Sequence, residues 1–141
     1  MQLMKVQNEK QRDDAFLVRR VVFIHEQQVP EELEMDEFDQ DAAHFVGYVE
    51  EDPVAAGRVR LVEDYGKLER ICVKKDYRGH HFGKDIILHI EDYLKGQGYL
   101  KAKLNAQTHA EGFYQSLGYE TISEEFMDAG IPHVTMIKTL T

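Results

Sequence analysis

Between Leu68 and Lys95 a β-branched stretch, a loop with two glycines and an amphipathic stretch follow one another without interruption, and this succession constrains the fold more than any other part of the chain. Leu68-Glu69-Arg70-Ile71-Cys72-Val73 reads as a strand and Arg78-Gly79-His80-His81-Phe82-Gly83-Lys84 as a loop. Ile86, Ile87, Ile90, Tyr93 and Leu94 then recur at the spacing of one helical face, with Gly96 as the stop after Lys95. Side chains of this kind, at about 1.5 to 3 kcal/mol for each one fully buried, hold a helix to a sheet. The glycines let consecutive amide N–H groups approach a ligand closely, and the helix N-terminus behind them carries the equivalent of roughly half a positive charge. Flanked by Arg78 and Lys84, the loop suits a phosphate or pyrophosphate.

Two familiar phosphate loops do not fit. A Walker loop needs four residues between its first glycine and the Gly-Lys pair and then Ser or Thr, whereas three residues separate Gly79 from Gly83-Lys84 and Asp85 follows. The dinucleotide fingerprint requires a third spaced glycine. Taken alone, the loop also fits an ordinary β-α connection with no ligand.

The chain of 141 residues, 43% hydrophobic, suits a single domain over residues 1–141. Its one cysteine, Cys72, excludes an internal disulfide framework, no apolar run approaches the roughly 20 residues of a membrane span, and Met1 to Val6 lacks a signal peptide's hydrophobic block. A cytoplasmic protein without a membrane partner is expected. Net charge of −9 argues against nucleic acid, and its negative potential would favour cationic partners such as amines.

In chain order, Met1 to Val6 reads as a strand. Asn8 and Gln11 read as a capping box for a helix that runs to about Glu26, with Phe16, Val18, Val21, Val22 and Phe23 as its apolar face and Pro30 preventing extension. Glu31, Glu32, Glu34, Asp36, Glu37, Asp39 and Asp41 form an acidic stretch, either solvated surface or the wall of a cation-binding cleft. From His44 to Val73 the pattern is a three-stranded antiparallel meander with turns at Glu51-Asp52-Pro53 and Glu63 to Gly66. Leu100, Ala102, Leu104 and Ala106 alternate with polar residues as a half-buried strand, which a crossover helix permits to lie parallel to its predecessor. Thr108-His109-Ala110-Glu111 reads as a second capping box, starting a short helix with Phe113, Tyr114 and Leu117 that ends at Gly118, and Tyr119 to Ser123 and His133 to Thr139 read as closing strands joined by an acidic loop.

Arg78 to Gly83 resembles the pyrophosphate loop of the GNAT superfamily of N-acetyltransferases at its first and last positions, with His81 where that family usually has its central glycine. Asn105 and Phe113-Tyr114-Gln115-Ser116-Leu117-Gly118-Tyr119, placed after the loop, resemble two further family signatures. Arg19, Phe23, Glu26-Gln27, Asp36, Asp39, Gly57-Arg58, Leu68 to Val73, Asn105 to Thr108 and Gly130 to His133 are similar to the ElaA/YjcF-like branch. The resemblance implies an α/β (α+β) GNAT fold: a central mixed, mostly antiparallel sheet of about seven strands flanked by helices and splayed between the fourth and fifth strands.

The resemblance further implies an acetyl-CoA-dependent N-acetyltransferase, without a metal, that moves an acetyl group to a small-molecule or protein amine by direct attack. The pantetheine arm of coenzyme A would lie in the splay along Ile71, Cys72 and Val73 and against Asn105, with the pyrophosphate on the loop of Arg78, Gly79, His80, His81, Phe82, Gly83 and Lys84. Tyr114 matches the family's general acid, while Glu69 and Glu26 are candidate general bases or, equally, ion-pair partners of Arg70 or Arg58. Cys72 within a strand reads as a small buried hydrophobe, and His80 and His81 lack partners at metal-ligand spacing. His133 reads as a satisfied histidine at a strand start or as a residue lining the acceptor cleft. The alternative function is a catalytically weak acyl-CoA sensor.

Overall fold

In a computed structural model describing residues 1–141, strands from both ends of the chain enter one eight-stranded sheet in the order β1-β2-β3-β4-β5-β8-β6, with β7 also paired to β8. The strands are β1 Gln2–Lys5, β2 Ala43–Val49, β3 Asp52–Val62, β4 Tyr65–Val73, β5 Lys101–Gln107, β6 Glu120–Thr121, β7 Phe126–Asp128 and β8 Ile131–Thr139. The helices are α1 Glu9–Arg19, α2 Glu31–Glu34, α3 Phe82–Gly96 and α4 Glu111–Ser116. The expected acidic loop before β8 contributes the short β7, which raises the strand count to eight. The second strand of the meander starts at Asp52, so the first turn is narrower than expected and places Glu50 at a φ of 57°.

Asn8 caps α1 by accepting from the Gln11 N–H at 2.8 Å, but the Gln11 side chain returns to the Gln7 N–H at 2.8 Å, one residue earlier than a closed capping box requires. Beyond Arg19 the helix widens into π turns over Arg20–Glu26, ending with Gln27 N–H on the Val22 carbonyl at 3.0 Å. The chain leaves the helix at Gln27, with Gln28 at a φ of 63°, before Pro30 is reached, and Pro30 caps the start of α2. The second capping box does not form. Thr108–Ala110 is a 3-10 turn, α4 has no side-chain cap, and the Glu111 carboxylate instead accepts from the Thr121 hydroxyl, tying α4 to β6.

Two cores sandwich the sheet. Ile86, Ile87, Ile90 and Leu94 of α3, as the helical spacing predicts, pack with Leu68, Leu104 and Met136 on one face; Ala15, Val18 and Val22 of α1 pack with Val46, Ala56 and Cys72 on the other. No helix is long and apolar enough to cross a membrane.

The expected splay is present. All neighbouring strands are antiparallel except β4 and β5, which pair in parallel only from Gly66 to Leu68 against Ala102 to Leu104 and then part. A bulge redirects β4 at the point of parting: Arg70 has a φ of 58°, and the register with β3 shifts between Ala56 and Arg58.

Candidate active site

The parting strands open a cleft of about 1200 Å³ floored by Leu68 to Val73 on one side and Leu104 to Gln107 on the other. Beyond the bulge, Lys74 N–H bonds the Val54 carbonyl on the β3 side at 2.8 Å. Strand alternation therefore turns the backbone polar groups of Val73 and Ile71 toward the cleft. They form a sheet edge that pairs with no neighbouring strand. Cys72 points its side chain into the α1 core, where burial pushes its thiol well above the usual range, so it offers backbone and not a nucleophile.

The glycine loop closes one end. Gly79 has a φ of 86° and His81 lies in the left-handed region at φ 64°, ψ 19°, so histidine keeps the backbone path that a glycine would take. Histidine tolerates this region better than most residues, although the conformation costs about 1 to 2 kcal/mol for an L-residue. Helix α3 begins directly after it, its first amides without intrahelical acceptors, and an added Cβ on Gly83 would meet only Phe113, at 3.7 Å. His80 is exposed, its ring 5.7 Å from that of Phe82, and of the loop residues only it does not line the cleft.

Arg78 is held within the protein: its guanidinium donates to both Glu26 carboxylate oxygens at 2.7 Å and to the Val73 carbonyl at 2.9 Å. The expected phosphate ligand thus also fastens the end of the first helix to the open strand edge. Hydrogen bonding to Arg78 holds the Glu26 carboxyl below its ordinary range, which weakens it as a base.

Across the splay, Asn105 Oδ1 accepts from the Thr135 hydroxyl at 2.9 Å, leaving its amide N–H₂ to donate. Tyr114 on α4 lines the cleft with no hydrogen-bond partner for its hydroxyl in the protein, and burial, with a smaller contribution from Cys72, pushes the phenol up to about 12. The rest of its motif fixes it there. Gly118, at a φ of 99°, turns the chain so that Tyr119 N–H bonds the Tyr114 carbonyl at 3.1 Å, and the Tyr119 hydroxyl donates to buried Glu91 of α3 at 2.8 Å. Lys138 donates to the other Glu91 oxygen at 2.8 Å.

Residues 6–140 match the family model described as the acetyltransferase (GNAT) domain. The chain belongs to the GNAT family. It is 48% identical over 139 residues to the uncharacterized N-acetyltransferase YjcF of Bacillus subtilis (strain 168), covering 98% of this chain and 99% of that one. Among solved structures, Escherichia coli ElaA superposes with a TM-score of 0.88 at 23% identity, over 98% of this chain and 99% of that one. An acyl-CoA N-acyltransferase from Pseudomonas aeruginosa superposes with the same score at 20% identity, over 99% and 100%. The chain is thus an acyltransferase of the ElaA/YjcF-like branch.

In this GNAT protein the acidic segment is neither solvated throughout nor a free acidic wall. Glu34, Asp36 and Asp39 turn inward onto arginines from three elements: Arg19 bonds Glu34 at 2.8 Å and Asp39 at 2.7 Å, Arg58 bonds Asp36 and Asp39 at 2.7 Å, and Arg70 of the bulge reaches Glu34 at 2.9 Å and Asp36 at 3.1 Å. Arg19 and Arg58 are 1% exposed and Glu34 2%, so the centre of this network is buried. Residues scattered through the sequence resemblance, Arg19, Asp36, Asp39 and Arg58, thereby meet in one place. Helical and strand periodicity had no place for a buried arginine.

Glu69 belongs to the same network. Arg58, Arg60 and Lys67 surround it at 2.8, 2.7 and 3.4 Å. Burial works to raise its carboxyl, but hydrogen bonding and charge from Arg60, Arg58 and Lys67 outweigh burial and bring it down to about 2. It is a poor proton acceptor, and the alternative reading as an ion-pair partner describes it, though inside the fold and with Arg58, not Arg70. His133 lines the cleft, the second of the two positions its sequence context allows. Its Nδ1 lies 2.7 Å from the Ile131 carbonyl, which can only accept, so in the neutral ring the proton belongs on Nδ1 and the lone pair on Nε2. The ring lines the cleft, 9% exposed, and its Nε2 has no partner in the protein.

Proposed function

We propose that this GNAT protein, acting as one domain over residues 1–141, transfers an acetyl group from acetyl-CoA to a primary amine by direct attack. The observation that carries the reading is the β4 edge at Ile71 and Val73, which pairs with no strand and faces Asn105 across the splay, with the Tyr114 hydroxyl unpartnered beside it. That edge and the Asn105 amide supply hydrogen bonds to an extended acyl-pantetheine arm, and the amides of Phe82, Gly83 and Lys84 supply the anion site for the pyrophosphate.

Tyr114 is protonated at any working pH, since burial places its phenol near 12. Relative to an unperturbed thiol near 8.5, full proton transfer would then be uphill by about 5 kcal/mol. The departing thiolate occupies the same desolvated cleft, however, and burial raises thiols too, as Cys72 shows. Tyr114 therefore acts first as a hydrogen-bond donor to the developing thiolate and releases its proton late. On the acceptor side, His133 Nε2 takes the proton that the amine loses, because Glu26 and Glu69 are both engaged by arginine.

The same cleft would serve a sensor that holds acyl-CoA without turnover; two unpartnered proton-transfer groups at its wall favour the enzyme. Thiol release on mixing the protein with acetyl-CoA and a panel of primary amines decides between them. Amine-dependent release is expected, and coenzyme A binding with no release across the panel would leave the sensor.

A further inference from the structure

Of the carboxylates that line the cleft, Glu26, Glu34, Asp36 and Glu69 are engaged by arginine and Asp128 alone is not. Arg19, Arg58, Arg60, Lys67 and Arg70 join Glu34, Asp36, Asp39 and Glu69 in one network of ion pairs between 2.7 and 3.4 Å, five positive groups against four negative. Arg58 is also met by Asp36 and Asp39, whereas Arg60 and Lys67 have Glu69 as their only carboxylate partner. Strand register then sets Arg60 beside Lys67 and Lys67 beside Lys103, so a row of cations crosses β3, β4 and β5 at the level where the last two strands still pair. Lys103 makes no ion pair; its ammonium lies 5.1 Å from the Tyr65 ring centre. This local surplus sits in a molecule of net charge −9, so composition does not account for it.

We propose that Arg60 and Lys67, backed by Lys103, form a subsite for an anionic group on the acceptor, so that the substrate is an amine that also carries a carboxylate or phosphate. The proposal rests on the acetyl-transfer reading above. Arg60 and Lys67 both line the cleft, their side chains 20% and 25% exposed, and the Arg60 guanidinium carbon lies over the Phe38 ring, 4.0 Å from its centre. An acid group placed there receives charge-assisted hydrogen bonds from an oriented guanidinium and an ammonium.

The geometry also limits the spacing between the two groups. Lys67 and Ile71 stand four residues apart on β4, roughly 13 Å at about 3.3 Å per residue, less the reach of the two long side chains. Leu33 and Phe38, 51% and 42% exposed and both at the cleft, supply an apolar wall for a connecting chain. The acceptor class is therefore an ω-amino acid or an aminoalkyl phosphate, with several atoms between amine and acid.

The test measures kcat/KM at saturating acetyl-CoA for ω-amino acids of increasing length, the aminoalkyl phosphates, and the alkylamines and α,ω-diamines of matched length. An acid-bearing amine should exceed its matched alkylamine by about tenfold to a hundredfold, the usual worth of hydrogen bonds to a charged group, and the better acid identifies carboxylate or phosphate as the native group. Lys67→Glu should reverse the order and place diamines first; should that variant not fold, Lys67→Met should lower the ratio. Alkylamines or diamines equal to or better than the acids, or a ranking that neither variant moves, would overturn the subsite while leaving acetyl transfer intact. Acetylation of no amine despite bound coenzyme A would remove the enzyme reading and the subsite with it.

Discussion

At the scale of single residues, the same side-chain chemistry reads differently according to what surrounds it. Glu69 and Tyr114 are both largely buried, yet three cations hold Glu69 ionised while Tyr114, with none beside it, is driven toward its neutral form. Tyr114→Phe keeps the ring edge-on to Phe113 and Tyr119, with centroids 5.1 and 5.9 Å away, and removes only the hydroxyl. Turnover should fall by roughly tenfold to a thousandfold with coenzyme A binding nearly intact, the usual contribution of a positioned acid. The loss belongs in kcat, because the hydroxyl assists the departing sulfur more than the bound thioester, and it should ease with acyl donors whose leaving thiol is more acidic. Wild-type kcat in the mutant, with chemistry limiting, would take Tyr114 out of the mechanism. The motif made Tyr114 legible in the sequence, since its position depends on Gly118 and Tyr119 four and five residues on. For His133 the sequence offered a place at the cleft but not the proposed base, because that reading depends on which nitrogen faces a carbonyl two residues back.

At the scale of elements, what the sequence shows is what repeats with a period. Helix α3 follows its spacing, and β5 follows its alternation. The segment from Pro30 to Asp41 has no such period, and its only buried side chain is Glu34. Arginines from α1, β3 and the β4 bulge hold it to the sheet where apolar packing would hold an ordinary element. Seven acidic residues in twelve positions look like solvated surface until Arg19, Arg58 and Arg70, contributed by distant parts of the chain, are placed beneath them. Removing a buried partner leaves uncompensated charge, so Arg58→Met should destabilise the protein by about 3 to 5 kcal/mol in urea unfolding. An exposed acid such as Glu32 has no such partner, and Glu32→Gln should change stability by less than about 0.5 kcal/mol. Equal effects of the two substitutions would show that the network does not fasten the segment.

At the scale of the whole molecule, these local charges set how stability varies with pH and with ligand. The Glu69 carboxyl falls from 4.5 unfolded to about 2 folded, so it contributes about 3 kcal/mol that is present above pH 4.5 and lost as pH falls toward 2. Asp36 and Asp39, also lowered against the pull of burial, act in the same direction; buried Glu34, raised by burial, opposes them. His44, lowered by burial, adds a loss that begins below its unfolded value of 6.5. Thermal melts between pH 7 and 2 should therefore show a shallow decline followed by a steep one below 4.5, and Glu69→Gln should flatten the steep part; an unchanged profile in the variant would assign the acid transition elsewhere. Coenzyme A is expected to act on the folded state in the opposite sense. The proposed site joins the α3 N-terminus, the β4 edge and β5, elements that meet only in the native sheet, so ligand at a hundredfold over its dissociation constant should stabilise by about 2.7 kcal/mol and raise the melting temperature. Gly83→Val tests where that stabilisation arises. The first atom of the new side chain meets nothing closer than Phe113 at 3.7 Å, so the protein should fold, but the branched side chain stands where the pyrophosphate would rest and the ligand-induced shift should vanish. A full shift in folded Gly83→Val would place the phosphate away from this loop, and no shift in the unaltered protein at millimolar coenzyme A would remove the site.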